Sequence, residues 1–551
     1  MRQTHYLTKP KEAIMQSGFT AHVTPAEWRW TTLVAVALVL LAFLPYGLMV
    51  LTGTATSDWQ FMGILHNSRD GATYLSKMLL GARGEWLVHF QHTPEPHDGA
   101  FIQVIYPALG QLAGLTGVPV LILFHVVRAV GAVFMYLAIY QLAATIWMRI
   151  RTRRIFFVVA SLAAGFGWLY AILSGGRVDS PDLSIPEAFP LQSTFGNVHF
   201  PLAIACLALL VSIIIEVFRP GASEEPRANN GGVMAVVLSL ALSLLYPQGL
   251  VPLGGALVIY ASWRWWHKKR IARREFFWLL TILLPAVPFA VYYAAVVLYN
   301  PAMAEWSRQN VTAAPSPLVM VIGFALPLIL AAPGIYRAIR QPEAHDDRFM
   351  LLWLAVMLIA IYLPTNIQRR FAIGMMLPLA YFATRALEAF WFQRFSNRRW
   401  RYRMLVVALP FMAFTHLFVL FVPMLPALVN RPENAQGLFL ERDYLPVFDW
   451  IDRRTNPDDV VLASEDVSQW LPGWASVRVV YGHPFETLQA DVKEQAVKDW
   501  YTTGSDCQGL LDEYSVKYVI FGPEEARLGD APCLDALQQV ARSGEVAIYT
   551  P

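Results

Sequence analysis

Apolar runs of membrane-spanning length recur along this chain, at roughly 31–52, 120–148, 154–174, 199–218, 231–246, 248–263, 275–298, 317–336, 349–364, 371–390 and 404–426. A helix that crosses the hydrocarbon core needs about 20 such residues. Of the 551 residues 56% are hydrophobic and 15% charged, in blocks rather than in alternation. The pattern predicts a polytopic α-helical membrane protein with about 11 transmembrane helices. The first run is too long, and lacks the small-residue cleavage site, for a signal peptide, so it is expected to remain as a span after a cytoplasmic segment, 1–30.

Orientation follows from the basic connectors. Arg149, Arg151, Arg153 and Arg154 form one cluster, Arg264, Lys268, Lys269, Arg270, Arg273 and Arg274 a second, and Arg394, Arg398, Arg399, Arg401 and Arg403 a third. Basic residues are retained on the cytoplasmic side. With the N-terminus inside, all three clusters fall inside, provided that FIQVIYPALGQLAGLTG (Phe101 to Gly117) does not cross. That segment is expected to be an interfacial or re-entrant helix broken by Pro107 and its glycines. The segment 53–119, the loop around 175–198 and everything after Pro426 are then outside. The formal charge of +3 is dispersed among these clusters, and there is no stripe that would suit nucleic acid.

Within 427–551 the charges return and short β-type runs appear: VVLAS, VRVVYG, VKYVIFG and VAIYT. These predict a small extracytoplasmic α/β domain after a membrane domain spanning 31–426. Cys507 and Cys533 belong to it; an oxidising exterior allows a disulfide, and two unpaired buried thiols fit the sequence equally. Cys206 sits in an apolar run and is read as packing.

Several polar residues stand out against this background. In HNSRDGATYLSKMLLGARGEW, a helix starting at Asp70 places Asp70, Tyr74 and Lys77 on one face, with leucines and Met78 supplying apolar surface along the outer leaflet. Asp70 is equally suited to cap the helix. Arg369 and Arg370 sit at the outer end of a span, against the orientation bias, where paired guanidiniums suit a phosphate or snorkel to headgroups. Arg128 lies inside a span and is expected to face the protein interior. The external loops offer Glu95, His97, Glu187 and His199 for substrate hydroxyls, together with His89, His92, Asp98 and Asp182. No metal-ligand spacing such as HExxH occurs, so a divalent cation is an open option without a defined ligand set. Asn310-Val311-Thr312 is a formal glycosylation sequon. There is no Walker A motif, GxGxxG or DxD to draw on a soluble nucleotide.

In this arrangement the chain resembles the GT-C superfamily of polytopic glycosyltransferases, which includes polyprenyl-phosphate-sugar-dependent protein mannosyltransferases and lipid A aminoarabinose transferases. The likeness rests on the D-x-x-x-Y helix, Asp70 to Tyr74, with Gly84-x-Trp86 after it, and on the non-crossing YPALGQLAGLTG helix. It rests also on QRRF at Gln368 to Phe371 and on the outer C-terminal domain. The GHPFET segment, Gly482 to Thr487, looks like that of poorly characterised bacterial members and carries no mechanism by itself. The resemblance implies a bacterial plasma-membrane enzyme that moves a hexosyl or pentosyl group from a polyprenyl-phosphate donor to an acceptor hydroxyl outside. Asp70 would be the general base, Tyr74 would position substrate or support Asp70, Arg369 and Arg370 would be the phosphate ligands, and Lys77 or Arg128 helpers. No cofactor is certain from it, and a divalent cation is possible. Arg69 stands where a protein mannosyltransferase has a second acid, and the protein-substrate insert is absent, which leaves lipid, glycan and protein acceptors open. A flippase of a lipid-linked glycan is the competing class, though neither repeat symmetry nor mid-membrane charge stands out. A non-catalytic member of the same fold is the third.

Overall fold

The computed structural model describes residues 23–55, 58–177, 179–219, 230–342, 345–394, 397–429 and 437–551. Most of segment 1–30 lies outside these. Among the described residues five helical segments are long and apolar enough to cross a membrane: Pro25–Leu51, Val120–Ile146, Ile150–Ser174, His199–Val217 and Arg273–Tyr299. The pair Pro317–Gly323 and Ala325–Arg340, bent by 93°, makes a sixth only if the two are counted as one span. The larger count from sequence includes runs that fold as shorter or less apolar helices, such as Gly231–Leu245 and His345–Ile361. His199–Val217 is the central helix, 83% of its apolar window enclosed, whereas Arg273–Tyr299 is 6% enclosed and lies at the edge.

The Phe101 to Gly117 segment forms one helix, Ile105–Thr116. Twelve residues rise about 18 Å, too short to cross. Neither Pro107 nor the glycines break it, which corrects the sequence reading. Pro107 occupies the first turn, where no amide donor is required, and the glycines form a packing seam against the Ser68–Ala82 helix. A Cβ on Gly110 would stand 2.0 Å from the Met78 carbonyl oxygen, and one on Gly81 2.4 Å from that of Pro107. Small residues spaced in this way let two helix backbones touch.

Among the described residues seven strands are present: β1 (Trp59–Phe61), β2 (Phe439–Glu441), β3 (Val460–Leu462), β4 (Arg478–Val479), β5 (Val516–Phe521), β6 (Gln538–Ser543) and β7 (Val546–Thr550). β1 pairs antiparallel with β2, so the chain leaving the first span is tied to the chain entering the C-terminal unit. The other five form one sheet, ordered β4-β3-β5-β7-β6, with β3 parallel to β4 and β5, and β7 antiparallel to β5 and β6. Cys507 and Cys533 are joined by a disulfide, with Cα atoms 5.4 Å apart.

The Ser68–Ala82 helix does not lie along a leaflet. It is sandwiched between Ile105–Thr116 and the Glu465–Ala475 helix of the C-terminal unit, and its residues from Gly71 to Met78 are buried without a break. Ala72, Leu75 and Met78 share a hydrophobic core with Val467, Trp470 and Leu471. An amphipathic pattern specifies an apolar neighbour without distinguishing lipid from protein, which explains the difference. The Ser68–Ala82 and Ile105–Thr116 helices and the C-terminal unit therefore pack as one body.

Candidate active site

A cavity of about 650 Å³ lies where these layers meet. Asp70, Tyr74, Glu187, His199, Arg369 and Arg370, six of the residues singled out from sequence, all line it. His483, Phe485 and Glu486 from the GHPFET segment line it too. Leu244, Leu245, Val296, Val297 and Trp306 give it an apolar side.

Asp70 sits in the first turn of the Ser68–Ala82 helix, whose N-cap is Asn67 in the left-handed region at φ 53°. It is thus not the cap. Its Oδ2 accepts from Asn67 Nδ2 at 2.8 Å, and its Oδ1 faces His483 Nε2 at 3.3 Å. The His483 tautomer is set by its own loop, because Nδ1 accepts from the backbone amides of Phe485 and Glu486, both at 3.1 Å. The ring proton is left on Nε2, which donates to Asp70. Burial by itself would raise the Asp70 pKa; the bond from His483, the bond from Asn67 and the Arg370 charge outweigh burial and hold the carboxyl well below the usual range. The side chain keeps 40% accessibility, so an ionised oxygen remains reachable.

The whole GHPFET loop is built around this contact. Gly482 has no room for a side chain, since a Cβ would meet the Ser468 carbonyl oxygen at 2.7 Å. Thr487 Oγ1 accepts from the amides of Gly482 and His483 and donates to the His92 carbonyl oxygen at 2.5 Å, which closes the loop on itself and fastens it to the segment that carries His92. Gln309 Nε2 donates to the carbonyls of Phe485 and Thr487. Glu486 forms a buried ion pair with Lys77 at 2.5 Å, side chains 6% and 0% exposed. Burial would raise the Glu486 pKa, but the charge of Lys77 and its hydrogen bond prevail and lower it. The loop thus grips one helix at Asp70 and Lys77, both on the face identified from sequence.

Arg369 and Arg370 enter from the 3-10 turn Gln368–Ala372. The flanking QRRF residues anchor that turn: Gln368 Oε1 accepts from the Ala314 amide at 3.0 Å, its Nε2 donates to the Leu363 carbonyl at 2.8 Å, and Phe371 is buried. Both guanidiniums are half-buried, and Arg370 donates to Asn310 Oδ1 at 3.1 Å. Asn310 and Thr312, the two ends of the sequon, line the cavity, and Thr312 is buried. Opposite, Glu187 accepts from the Tyr246 hydroxyl at 3.0 Å; burial raises its pKa against the pull of Arg369 and Arg370. Tyr74 stacks on Tyr106 at 4.0 Å, and the Tyr106 hydroxyl meets His199 Nδ1 at 2.7 Å. An aromatic wall therefore holds the helix face that carries Asp70.

Four expected site residues do not line the cavity. Lys77 is committed to Glu486. Arg128, fully buried, donates to the Tyr46 hydroxyl and to the carbonyls of Phe195 and Gly196, and lies over the rings of Phe43 and Tyr46. It braces the loop before His199 instead of reaching a phosphate. Glu95 pairs with Lys493, and His97 Nε2 accepts from the Phe90 amide at 2.9 Å, so both brace the segment after the Ser68–Ala82 helix. Asp182 accepts from the amides of Gly165 and Gly167. Among the described residues no three His, Cys, Asp or Glu side chains are grouped so as to hold a metal ion.

The contribution of His483 was not derivable from pattern. It meets Asp70 across 413 residues of chain, and only the distinctive GHPFET string marked the place.

No family model and no curated protein sequence matches the chain. Solved structures do. The oligosaccharyltransferase of Archaeoglobus fulgidus, tethered to an acceptor peptide, superposes with a TM-score of 0.52 at 14% identity, over 93% of this chain and 72% of that one. ArnT from Cupriavidus metallidurans, bound to undecaprenyl phosphate, superposes with a TM-score of 0.51 at 15% identity, over 96% of this chain and 98% of that one. The apo form of the same ArnT gives 0.51 at 15% identity, over 95% and 98%. The chain thus has the fold of GT-C membrane glycosyltransferases.

Proposed function

We propose that this protein is an integral-membrane glycosyltransferase that moves a sugar from a polyprenyl-phosphate donor to an acceptor hydroxyl at the outer face, with Asp70 as general base. The observation that carries the reading is one cavity holding an ionised, reachable Asp70, an adjacent guanidinium pair and an apolar side suited to a prenyl chain. The proposed topology keeps about 11 crossings, the N-terminus inside, and the cavity and 427–551 outside. The acceptor oxygen attacks the anomeric carbon as its proton passes to Asp70; the bond from that carbon to the phosphate oxygen breaks, and polyprenyl phosphate leaves with the electron pair. The leaving group is already an anion, so protonation is not required. Arg369 and Arg370 stabilise its developing charge.

His483 acts in this reading as a positioning residue. Its proton holds Asp70 Oδ1 while Asn67 holds Oδ2. Each carboxylate oxygen offers two acceptor directions, so one on each remains for the acceptor hydroxyl. The test is to supply the purified protein with polyprenyl-phosphate sugars and with lipid, glycan and peptide acceptors, scoring transfer and donor hydrolysis. Product from one pairing identifies the acceptor class. No product and no donor hydrolysis from any pairing, in protein that binds polyprenyl phosphate, would overturn the reading in favour of a non-catalytic member of the fold.

A further inference from the structure

The catalytic cavity has an end that the proposed chemistry leaves unused. His66, Gln192, Phe195, Gly196 and Val419 line it. His66 directly precedes Asn67, the N-cap of the Ser68–Ala82 helix, so it reaches the cavity just ahead of Asp70. Its ring lies against that of Phe195, with centroids 4.7 Å apart. Gln192 and Phe195 are one turn apart in the Pro190–Phe195 helix and share a face; Val419 packs with Phe195 in one apolar cluster. The apolar side of the cavity comes from other helices, Asn230–Leu245, Val287–Tyr299 and Pro301–Gln309.

Two polar side chains at this end are more than nine-tenths buried, His66 at 8% exposure and Gln192 at 1%. Each keeps a polar atom, His66 Nε2 and Gln192 Oε1, without a hydrogen-bond partner among the described residues. The Gln192 amide is fixed by its Nε2, which donates to the Asp182 carbonyl oxygen. Buried polar groups are nearly always paired, so an orphan calls for an explanation. Two of them on one cavity wall, beside a reachable carboxylate, fit a ligand. Burial, with the Arg128 charge behind it, lowers the His66 pKa to about 3, so the ring is neutral and offers one donor and one acceptor. Gln192 Oε1 adds a further acceptor.

A ligand for such a wall is uncharged and carries groups that donate and accept at once. Hydroxyls do both, and the Phe195 ring supplies a flat apolar face. A phosphate or carboxylate would meet no cation at this end, since Arg128 does not line the cavity. We infer that this end is the acceptor subsite and that the acceptor presents an uncharged saccharide to it, with ring hydroxyls on His66 and Gln192 and a sugar face on Phe195. The inference rests on the proposed function, which puts the donor phosphate on Arg369 and Arg370 and the prenyl chain along the apolar side, and leaves this approach to Asp70 for the acceptor.

The test uses full-length protein in detergent with polyprenyl phosphate bound. It is titrated with the methyl α-glycosides of glucose, mannose, galactose and N-acetylglucosamine, and with a neutral serine-containing tripeptide, and read by saturation-transfer NMR. Two variants act on separate groups: His66→Phe keeps the ring contact with Phe195 and removes both nitrogens, and Gln192→Met removes the amide at similar length. At least one glycoside is expected to bind, more tightly than the peptide. Losing one neutral hydrogen bond weakens binding about two- to tenfold, so each variant should raise the Kd of that glycoside by such a factor, with polyprenyl-phosphate affinity retained. No glycoside binding, equal glycoside affinity in the parent and both variants, or tighter binding of the peptide would overturn the inference. Donor hydrolysis is scored on the same protein. Hydrolysis without glycoside binding removes the subsite and leaves the reaction standing; glycoside binding that the variants weaken, without hydrolysis, keeps the saccharide site and removes the reaction.

Discussion

Replacing His483 with alanine removes one donor from a carboxylate and leaves the rest of the cavity in place. The bond runs from a ring N–H to an ionised oxygen at 3.3 Å, in a side chain that is 3% exposed. Hydrogen bonds to charged groups contribute about 1.5–3 kcal/mol. At about 1.4 kcal/mol per factor of ten, losing that from the transition state lowers kcat by roughly 10- to 150-fold. The KM for the donor should change little, because Arg369 and Arg370 are untouched. A second consequence concerns pH. With His483 gone, burial is opposed only by Asn67 and Arg370, so the Asp70 pKa climbs, and activity should fall as pH drops through the new value, bringing an acid limb into the assay range that the parent lacks. His483→Gln, whose amide can reach the same oxygen, should restore part of the rate. Steady-state kinetics of the three proteins across pH measure all of this. A His483→Ala enzyme with parental kcat and no acid limb would refute the positioning role.

Other perturbations have equally definite outcomes. Glu486→Gln leaves Lys77 buried without its counter-charge, which costs about 3–5 kcal/mol, so the denaturation midpoint should drop; Glu486→Gln with Lys77→Met should recover much of the loss. Because the folded-state pKa of Glu486 is lowered, its stabilisation is present above the unfolded-state pKa and is lost as pH falls through the folded value. The Glu486→Gln variant should therefore lose less stability than the parent on acidification, measured by thermal melts. Arg370→Gln should raise donor KM and lower kcat together in transfer kinetics, since the charge meets the donor in both ground and transition states. Gly110→Leu, with the Met78 carbonyl oxygen 2.0 Å from its Cβ position, should force the Ser68–Ala82 and Ile105–Thr116 helices apart and lower the melting temperature, with activity lost in parallel.

How much of this was legible beforehand varies by element. Asp70, Tyr74, Glu187, His199, Arg369 and Arg370 were readable because each departs from a strong local expectation: an acid heading an amphipathic helix, polar groups in an external loop, or a positive pair on the wrong side. The strands β3, β4, β5 and β7 were readable from β-branched runs. β6, carrying Gln538 and Arg542, has no such run and was invisible. The destination of the Ser68–Ala82 helix was misread because an apolar stripe does not say what covers it. Lys77 was on the correct face with the wrong partner, since Glu486 reaches it only through a loop 409 residues away. Long-range pairing of this kind leaves no periodic trace.

The most direct test of the catalytic account is single-turnover transfer from a polyprenyl-phosphate sugar by the parent and by Asp70→Asn, with donor affinity measured on the same preparations. A positioned general base contributes about 10²- to 10⁴-fold. The account predicts a loss of that size in Asp70→Asn with donor affinity intact. Equal turnover in the two proteins would contradict it.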